Sequence, residues 1–207
     1  MGSRFAEVSD PCQCGKGMVY DRDQLELRDH QLIKLPQLES LSWLERRYIA
    51  GGVPDQRFLQ VASFHSELGP TTFVNFHLDT AGGNGHRRVQ VEAIADFIRS
   101  IDDTIVVCGD TNAFAMSRKG HPKLLRWLLE PIAELGIEVD TDDTPTHFFA
   151  RQHEPLLTHR LTVWAGKIGI DFPRRYDVVG SNATVLERGV RSTRASDHDL
   201  VWAKISG

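Results

Sequence analysis

The chain has 207 residues, of which 41% are hydrophobic and 25% are charged, a composition ordinary for one globular domain with a substantial core. Its formal charge of -4 argues against a generally polycationic nucleic-acid binder, although a local basic face around a phosphate site is compatible with that total. The sequence has no apolar run long enough to span a bilayer, no secretory signal, and only three cysteines, so we expect a cytoplasmic protein, and a monomer.

The first predicted elements are strands. Residues 17–20 and 58–64 are short apolar runs of the kind that form strands, and the first run leads into a polar turn. In residues 73–78 apolar side chains alternate with Asn75 and His77, so one face of this strand carries an amide and an imidazole.

Helices alternate with strands in the middle of the chain. A glycine-rich break at residues 81–85 precedes an amphipathic helix, in which apolar residues between 91 and 101 recur at three- and four-residue steps. The unbroken apolar run at residues 105–108 predicts a strand covered on both faces. Residues 124–135 predict another helix, with Pro131 as a kink or interruption.

Two closing strands, residues 176–179 and 198–205, complete an order of elements that favours an α/β sandwich. Polar side chains lie at the beginnings or ends of several of the predicted strands. In open α/β architectures, residues at strand ends project into a shared crevice. The candidate site contains three carboxylates, two imidazoles and one amide: Asp110, Asp177, Asp197, His77, His198 and Asn112.

This set of side chains suits phosphoester hydrolysis. A hard divalent cation such as Mg²⁺ takes oxygen ligands, and it neutralises charge on phosphoryl oxygens. A neutral histidine accepts a proton from attacking water when a carboxylate holds its tautomer. An amide or a protonated histidine donates to the developing oxyanion.

The order of these motifs resembles that of the endonuclease/exonuclease/phosphatase superfamily. The resemblance implies a four-layer sandwich of two mixed β-sheets flanked by helices, and a Mg²⁺-assisted in-line attack on a phosphoester, with Mn²⁺ as a possible substitute. The motifs that carry it are Phe76-His77-Leu78-Asp79, Arg87-x-x-Gln90, Gly109-Asp110-Thr111-Asn112, Tyr176-Asp177-Val178-Val179 and Ser196-Asp197-His198.

The resemblance also implies a role for each residue. His198 is expected to be the general base, and Asp177 the carboxylate that orients it. Asp110 and Asn112 are expected to position the nucleophilic water, the metal or the phosphate. Asp197 is expected to be a metal ligand and His77 a donor to phosphoryl oxygens. His147 is expected to contact the substrate.

The sequence departs from the superfamily near its N-terminus. Full members begin with a strand carrying an Asn and a second strand ending in a Leu-Gln-Glu-like motif, and neither is recognisable here. Glu7 imitates the second motif faintly, but it stands only ten residues before Gly17. We therefore expect residues 1–16 to be a remnant or flexible segment, residues 17–207 to form a domain lacking its first strands, and activity to be impaired.

Two alternatives remain open at this point. The chain is either a phosphodiesterase-like or nuclease-like hydrolase, or a catalytically silent relative that binds phosphorylated ligands or partners. The expected substrates are nucleic acids, phospholipids or small phosphodiesters. Positive charge at residues 151–175 would attract a polyanion, but it equally fits a solvated loop. We expect Trp43, Trp127 and Trp202 to lie in the core.

Overall fold

The computed structural model describes residues 4–8, 17–48, 54–115, 118–148, 174–193 and 196–206. The elements of this part of the chain are ten strands and three helices, with a short 3-10 turn ahead of the last helix. In chain order they are β1 (Phe5–Glu7), β2 (Val19–Asp21), β3 (Glu26–Lys34), α1 (Trp43–Tyr48), β4 (Phe58–Ser66), β5 (Gly69–His77), α2 (Gly83–Ile98), β6 (Thr104–Asp110), α3 (His121–Ala133), β7 (Glu138–Val139), β8 (Asp177–Ser181), β9 (Thr184–Arg191) and β10 (Leu200–Ser206).

A mixed six-stranded sheet organises the chain, in the order β3-β4-β5-β6-β8-β7. Only β5 and β6 run parallel, because α2 carries the chain back between them, whereas the other neighbours are antiparallel. The strands β1 and β2 form one small antiparallel hairpin sheet, and β9 and β10 form another. The predicted α/β sandwich is confirmed.

The helices α2 and α3 cover one face of the six-stranded sheet. The predicted apolar face of α2 packs there. Its residues Val91, Ile94 and Ile98 belong to the same core as Phe76 and Val107 of the sheet. The helix begins inside the glycine-rich run, at Gly83 rather than after it. The helix α3 starts at His121 and continues through Pro131 to Ala133, so Pro131 does not end it.

The opposite face of the sheet carries a smaller apolar cluster. Ala62 and Phe64 of β4 pack there with Val8, Tyr20 and Phe73. Val8 is 1% exposed, and β1 pairs with β2. The described residues before position 17 therefore pack with the rest of the chain, across the boundary that we expected there.

Several boundaries and packing expectations are corrected. The strand predicted at residues 198–205 begins at Leu200, and β8 begins after Tyr176. Trp43 is 74% exposed and Trp127 is 44% exposed, so neither lies in the core. Trp202 is half-buried on β10. Most of residues 151–175 lie outside the described residues.

No helix among the described residues is long and apolar enough to cross a membrane.

Candidate active site

Three of the expected site residues form one row across the six-stranded sheet. His77 at the end of β5 is the register partner of Asp110 at the end of β6, and Asp110 is the partner of Asp177 at the start of β8. Side chains that are register partners point to the same face of a sheet. Since Phe76 and Val178, the neighbours of His77 and Asp177, are buried in the core under the helices, the row occupies the opposite face.

His198 joins this row from the turn before β10. Its Nδ1 atom lies 2.7 Å from Oδ2 of Asp177. Its Nε2 atom lies 4.0 Å from Oδ2 of Asp110, and Nε2 of His77 lies 3.8 Å from the same oxygen. One carboxylate oxygen of Asp110 is therefore approached by two imidazoles, one on each side.

The loop after β6 holds Asp110 by close backbone contacts. A Cβ atom at Gly109 would lie 2.2 Å from the carbonyl oxygen of Phe76, so only glycine fits there. Asn112 has a positive φ of 47°, and its backbone N–H donates to Oδ1 of Asp110 at 2.8 Å. Its side-chain Nδ2 donates to the carbonyl oxygen of Leu78 at 2.8 Å, which ties the ends of β5 and β6 together.

His147 lies beside His198 and forms a second group with Asp197. Its Nε2 atom is 3.4 Å from Oδ2 of Asp197. Its ring stacks on Tyr176 at a centroid distance of 4.9 Å and meets the edge of His198 at 4.6 Å. We expected His147 to contact substrate, but it is only 3% exposed and packs against His198, the candidate general base.

Arg87 and Gln90, the two residues of the Arg87-x-x-Gln90 motif on α2, support the site from beneath. Arg87, which is 5% exposed, donates through Nε to the carbonyl oxygen of Asp79 and through Nη2 to the carbonyl oxygen of Thr80. Gln90 accepts from the backbone N–H of Asp79 at 2.9 Å and donates to the carbonyl oxygen of Pro36. Both side chains fix the turn that follows His77, so they position the site without entering it.

Burial and mutual charge shift the pKa values of the site. Burial, together with the charge of Asp177, raises the pKa of Asp110 to about 6. Burial lowers the pKa of His198, but the hydrogen bond and charge of Asp177 outweigh it and raise the value to about 9. Burial and the charge of His198 lower the pKa of His147 to about 4. Near neutral pH, without a cation, His198 is charged and His147 is neutral.

Two groups of side chains among the described residues have the spacing of metal ligands. One consists of Asp110, Asp177 and His198, and the other of His147, Asp197 and His198, with candidate ligand atoms within 4.8 Å of one another. The two expected ligands, Asp110 and Asp197, thus lie in different groups that share His198. Carboxylate oxygens suit Mg²⁺, and after desolvation the negative charge of Asp177 is the next cause that raises the pKa of Asp110, so a cation beside these two carboxylates would be favoured. The first group therefore fits a divalent cation.

Glu7 belongs to neither of these groups. It lies on the exposed hairpin of β1 and β2, as the register partner of Val19. The sequence around Glu7 faintly resembles a metal-binding motif, but Glu7 is not among the candidate metal ligands of the described residues.

Other residues at the site escaped prediction. Oγ1 of Thr146 accepts from the backbone N–H groups of both Tyr176 and Asp177, which fixes the start of β8. Arg57 precedes β4, where its Nε lies 3.6 Å from Oδ1 of Asp79 and its charge acts on Asp110 to lower that residue's pKa. A single arginine before a strand gives no sequence signal of this proximity, whereas Thr146 lies in a Thr-Pro-Thr-His segment beside His147.

Comparisons with known proteins concern the fold. No family model matches the chain, and no curated protein matches its sequence. An endonuclease/exonuclease/phosphatase from Bacteroides vulgatus has a TM-score of 0.59 and 19% identity, with 98% of this chain and 77% of that chain covered. D. rerio TDP2 complexed with a single-strand DNA product has a TM-score of 0.59 and 13% identity, with 96% of this chain and 75% of that chain covered.

The third similar structure is that of a phosphatase. The mannosyl-6-phosphatase Bt3783 of Bacteroides thetaiotaomicron has a TM-score of 0.55 and 14% identity, with 99% of this chain and 78% of that chain covered. The chain therefore spans about three quarters of the length of each of these proteins. Identities this low establish the fold and not the activity. The chain has the fold of the endonuclease/exonuclease/phosphatase superfamily.

Proposed function

We propose that this chain hydrolyses phosphoesters with the help of a divalent cation, Mg²⁺ in the first place and Mn²⁺ as a substitute. The observation that carries the proposal is the 2.7 Å contact between His198 and Asp177, directly beside the half-buried carboxylate of Asp110. An imidazole that is oriented by one carboxylate and faced by another suits proton exchange with water, and the two carboxylates suit a cation that would neutralise a phosphoester.

The contact fixes the tautomer of His198. Nδ1–H donates to Asp177, so Nε2, on the side of Asp110, is the atom that exchanges a proton with water. Because the pKa of His198 is about 9, this imidazole is charged at neutral pH, and it acts as a base only in its neutral form. The general-base role thus requires a neighbouring positive charge that favours the neutral imidazole.

Asp110 and Asp177 would hold the cation, whereas Asp197 lies in the other ligand group, so its role as a metal ligand stays a prediction. When bound, the cation would neutralise phosphoryl oxygens and polarise water. His77, on the other side of Asp110, is placed to donate to a phosphoryl oxygen. The side-chain amide of Asn112 donates to the carbonyl oxygen of Leu78. We therefore assign Asn112 to positioning Asp110 rather than to direct contact with substrate.

A catalytically silent relative that binds phosphorylated ligands is the second candidate. The observation that favours it is that neither metal-ligand group of the described residues contains a glutamate. Mg²⁺ surrenders its waters reluctantly, so a site with few carboxylates binds it weakly. The oriented His198–Asp177 pair counts against this candidate, because ligand binding alone needs no oriented base.

The structural neighbours include TDP2 with a single-strand DNA product and a mannosyl-6-phosphatase, which supports a phosphorylated substrate, either a nucleic acid or a smaller phosphate ester. A phospholipid is a further possibility within the same chemistry. A cytoplasmic location and a monomeric state stay predictions.

The test compares hydrolysis of bis(p-nitrophenyl) phosphate by wild type and His198→Ala, with Mg²⁺ and after chelation. We expect turnover that needs the cation and falls roughly 100-fold or more in His198→Ala. His30→Ala, which removes an exposed imidazole on β3, is the matched control and should retain wild-type turnover. No turnover and no calorimetric Mg²⁺ binding would instead support the silent relative.

A further inference from the structure

A cavity of about 690 Å³ adjoins His198 on the side of the β9–β10 hairpin. One wall consists of Arg191, at the end of β9, and of Ser192 and Thr193, which follow it. The other wall consists of Ser196, His198 and Asp199, which precede β10, and of Leu200, its first residue. Whatever occupies this cavity therefore lies next to the imidazole that faces Asp110.

Hydrogen bonds of the backbone hold the two walls in place. The N–H of Thr193 donates to Oδ1 of Asp199 at 3.0 Å, which joins one wall to the other. The N–H of His198 donates to Oγ of Ser196 at 3.1 Å. Arg191 and Leu200 are register partners at the open end of the hairpin, so their side chains share a face.

The chemistry of the walls suits a phosphate group. Guanidinium and hydroxyl groups are the side chains that most often bind phosphate oxygens, and Arg191, Ser192 and Thr193 bring both kinds together. The acidic side chain in the wall, Asp199, is 8% exposed and accepts the hydrogen bond of Thr193. One oxygen of this carboxylate is thus engaged by the backbone of the opposite wall.

The location of the cavity decides which phosphate it would take. The phosphoester under attack belongs at the row of His77, Asp110 and Asp177, since the water-activating imidazole faces that row. None of the three residues of that row lines the cavity, which instead meets His198 from the β9–β10 hairpin and has Arg191 in its wall. A group bound there belongs to a neighbouring part of the substrate.

We propose that this cavity binds a second phosphate of the substrate, next to the phosphoester that is hydrolysed. The inference rests on the proposed function, and it narrows the substrate to molecules with at least two phosphates, such as a nucleotide strand or a multiply phosphorylated small molecule. An isolated phosphomonoester would leave the cavity without its anion and would be a poor substrate.

The first test is binding, which does not depend on turnover. Inorganic pyrophosphate is titrated into the protein without divalent ions, so that the acidic row repels it, and affinity is followed by calorimetry and amide NMR shifts. We expect Arg191→Ala to weaken binding roughly ten- to 100-fold. The amide shifts should centre on Ser192, Thr193 and Ser196. The control is Arg99→Ala, whose exposed arginine lies at the end of α2.

Arg191→Lys separates charge from geometry in the same titration. It keeps the positive charge but loses the planar fork of the guanidinium, so its affinity should lie between those of wild type and Arg191→Ala. Equal affinity in wild type and Arg191→Ala, or shifts centred elsewhere, would overturn the proposal. An unchanged melting temperature establishes that each variant is folded.

The second test is selectivity. The ratio of kcat/KM for a 5′-phosphorylated dinucleotide to that for the same dinucleotide without the terminal phosphate is measured with Mg²⁺. Arg191→Ala should lower this ratio roughly tenfold or more, and an unchanged ratio would refute the proposal. If wild type hydrolyses neither dinucleotide, the proposed function is in error, and the pyrophosphate titration alone decides whether the cavity binds phosphate.

Discussion

Nδ1 of His198 lies 2.7 Å from Oδ2 of Asp177, although 21 residues separate the two in the chain. The carboxylate stands at the first position of β8, and the imidazole stands in the turn before β10. The intervening chain includes β9, whose antiparallel pairing with β10 returns the backbone to the site. The hydrogen bond to Asp177 contributes most to raising the pKa of His198, and the first two predictions follow from it.

Replacing Asp177 by Asn should lower the pKa of His198 from about 9 towards the ordinary value of 6.5. The amide removes the negative charge that favours the imidazolium, whereas the burial that opposes it stays. NMR titration of the imidazole in the metal-free protein measures the change. Asp29→Asn, on an exposed part of β3, is the control. A pKa that stays near 9 in Asp177→Asn would show that another group carries the effect.

The metal-free protein should become less stable as the pH rises from 6.5 to 9. The pKa of His198 is higher in the folded state, so the stability that proton binding contributes is fully present below pH 6.5 and lost as the pH passes 9. Asp110, at about 6, and His147, at about 4, titrate below this window. We expect a loss on the order of 1 kcal/mol after allowing for solvent screening.

Urea unfolding at several pH values measures this loss. His198→Gln has no titratable group at the position, so the free energy of its unfolding should change less over the same range. An equal slope in wild type and His198→Gln would contradict the assignment.

Arg87→Ala should lower the free energy of unfolding by about 2–4 kcal/mol. The guanidinium is buried, and its loss leaves the carbonyl oxygens of Asp79 and Thr80 without their donors. Arg99→Ala removes a largely exposed arginine from the same helix and should change stability by less than about 0.5 kcal/mol. Chemical denaturation compares the two variants, and similar losses would show that the buried contacts contribute little.

Asn112→Ala should be less stable than Asn112→Gly by about 1 kcal/mol, because glycine tolerates a positive φ and alanine does not. Both substitutions remove the hydrogen bond to the carbonyl oxygen of Leu78, so their difference isolates the backbone conformation. Thermal unfolding in the absence of metal provides the measurement. The opposite order of stability would mean that the left-handed conformation at residue 112 is not maintained.

The apolar patterns predicted the elements that lie in the core. The alternation in β5, the apolar run of β6 and the three- and four-residue steps of α2 all correspond to buried faces in the structure. The strand β3 escaped prediction because Glu26–Lys34 is an edge strand with mostly exposed polar side chains, and its pairing with β4 is set by the backbone.

The tryptophans show a second limit of sequence patterns. Trp127 lies on the outer side of α3, where the guanidinium of Arg88 stacks over its ring. Trp43 is the first residue of the six-residue helix α1, and 74% of its surface is exposed. Large aromatic rings favour burial on average, but the side of the helix that meets the sheet decides whether a given ring is covered.

The order of the motifs predicted which side chains meet, and the structure brings them together. It could not predict their charges or their grouping. The high pKa of His198 depends on distances to three carboxylates from separate parts of the chain. The division of Asp110 and Asp197 between two candidate ligand groups likewise depends on how the turn before β10 is oriented.

The row formed by His77, Asp110 and Asp177 has a consequence for how this chain tolerates insertions and deletions. Because successive side chains of a strand alternate between faces, inserting one residue within β5, β6 or β8 would rotate a member of the row into the apolar layer beneath α2 and α3. An insertion in a surface loop would leave the row intact. Length variation among functional homologues should therefore be confined to the connections, whereas these three strands keep a constant number of residues.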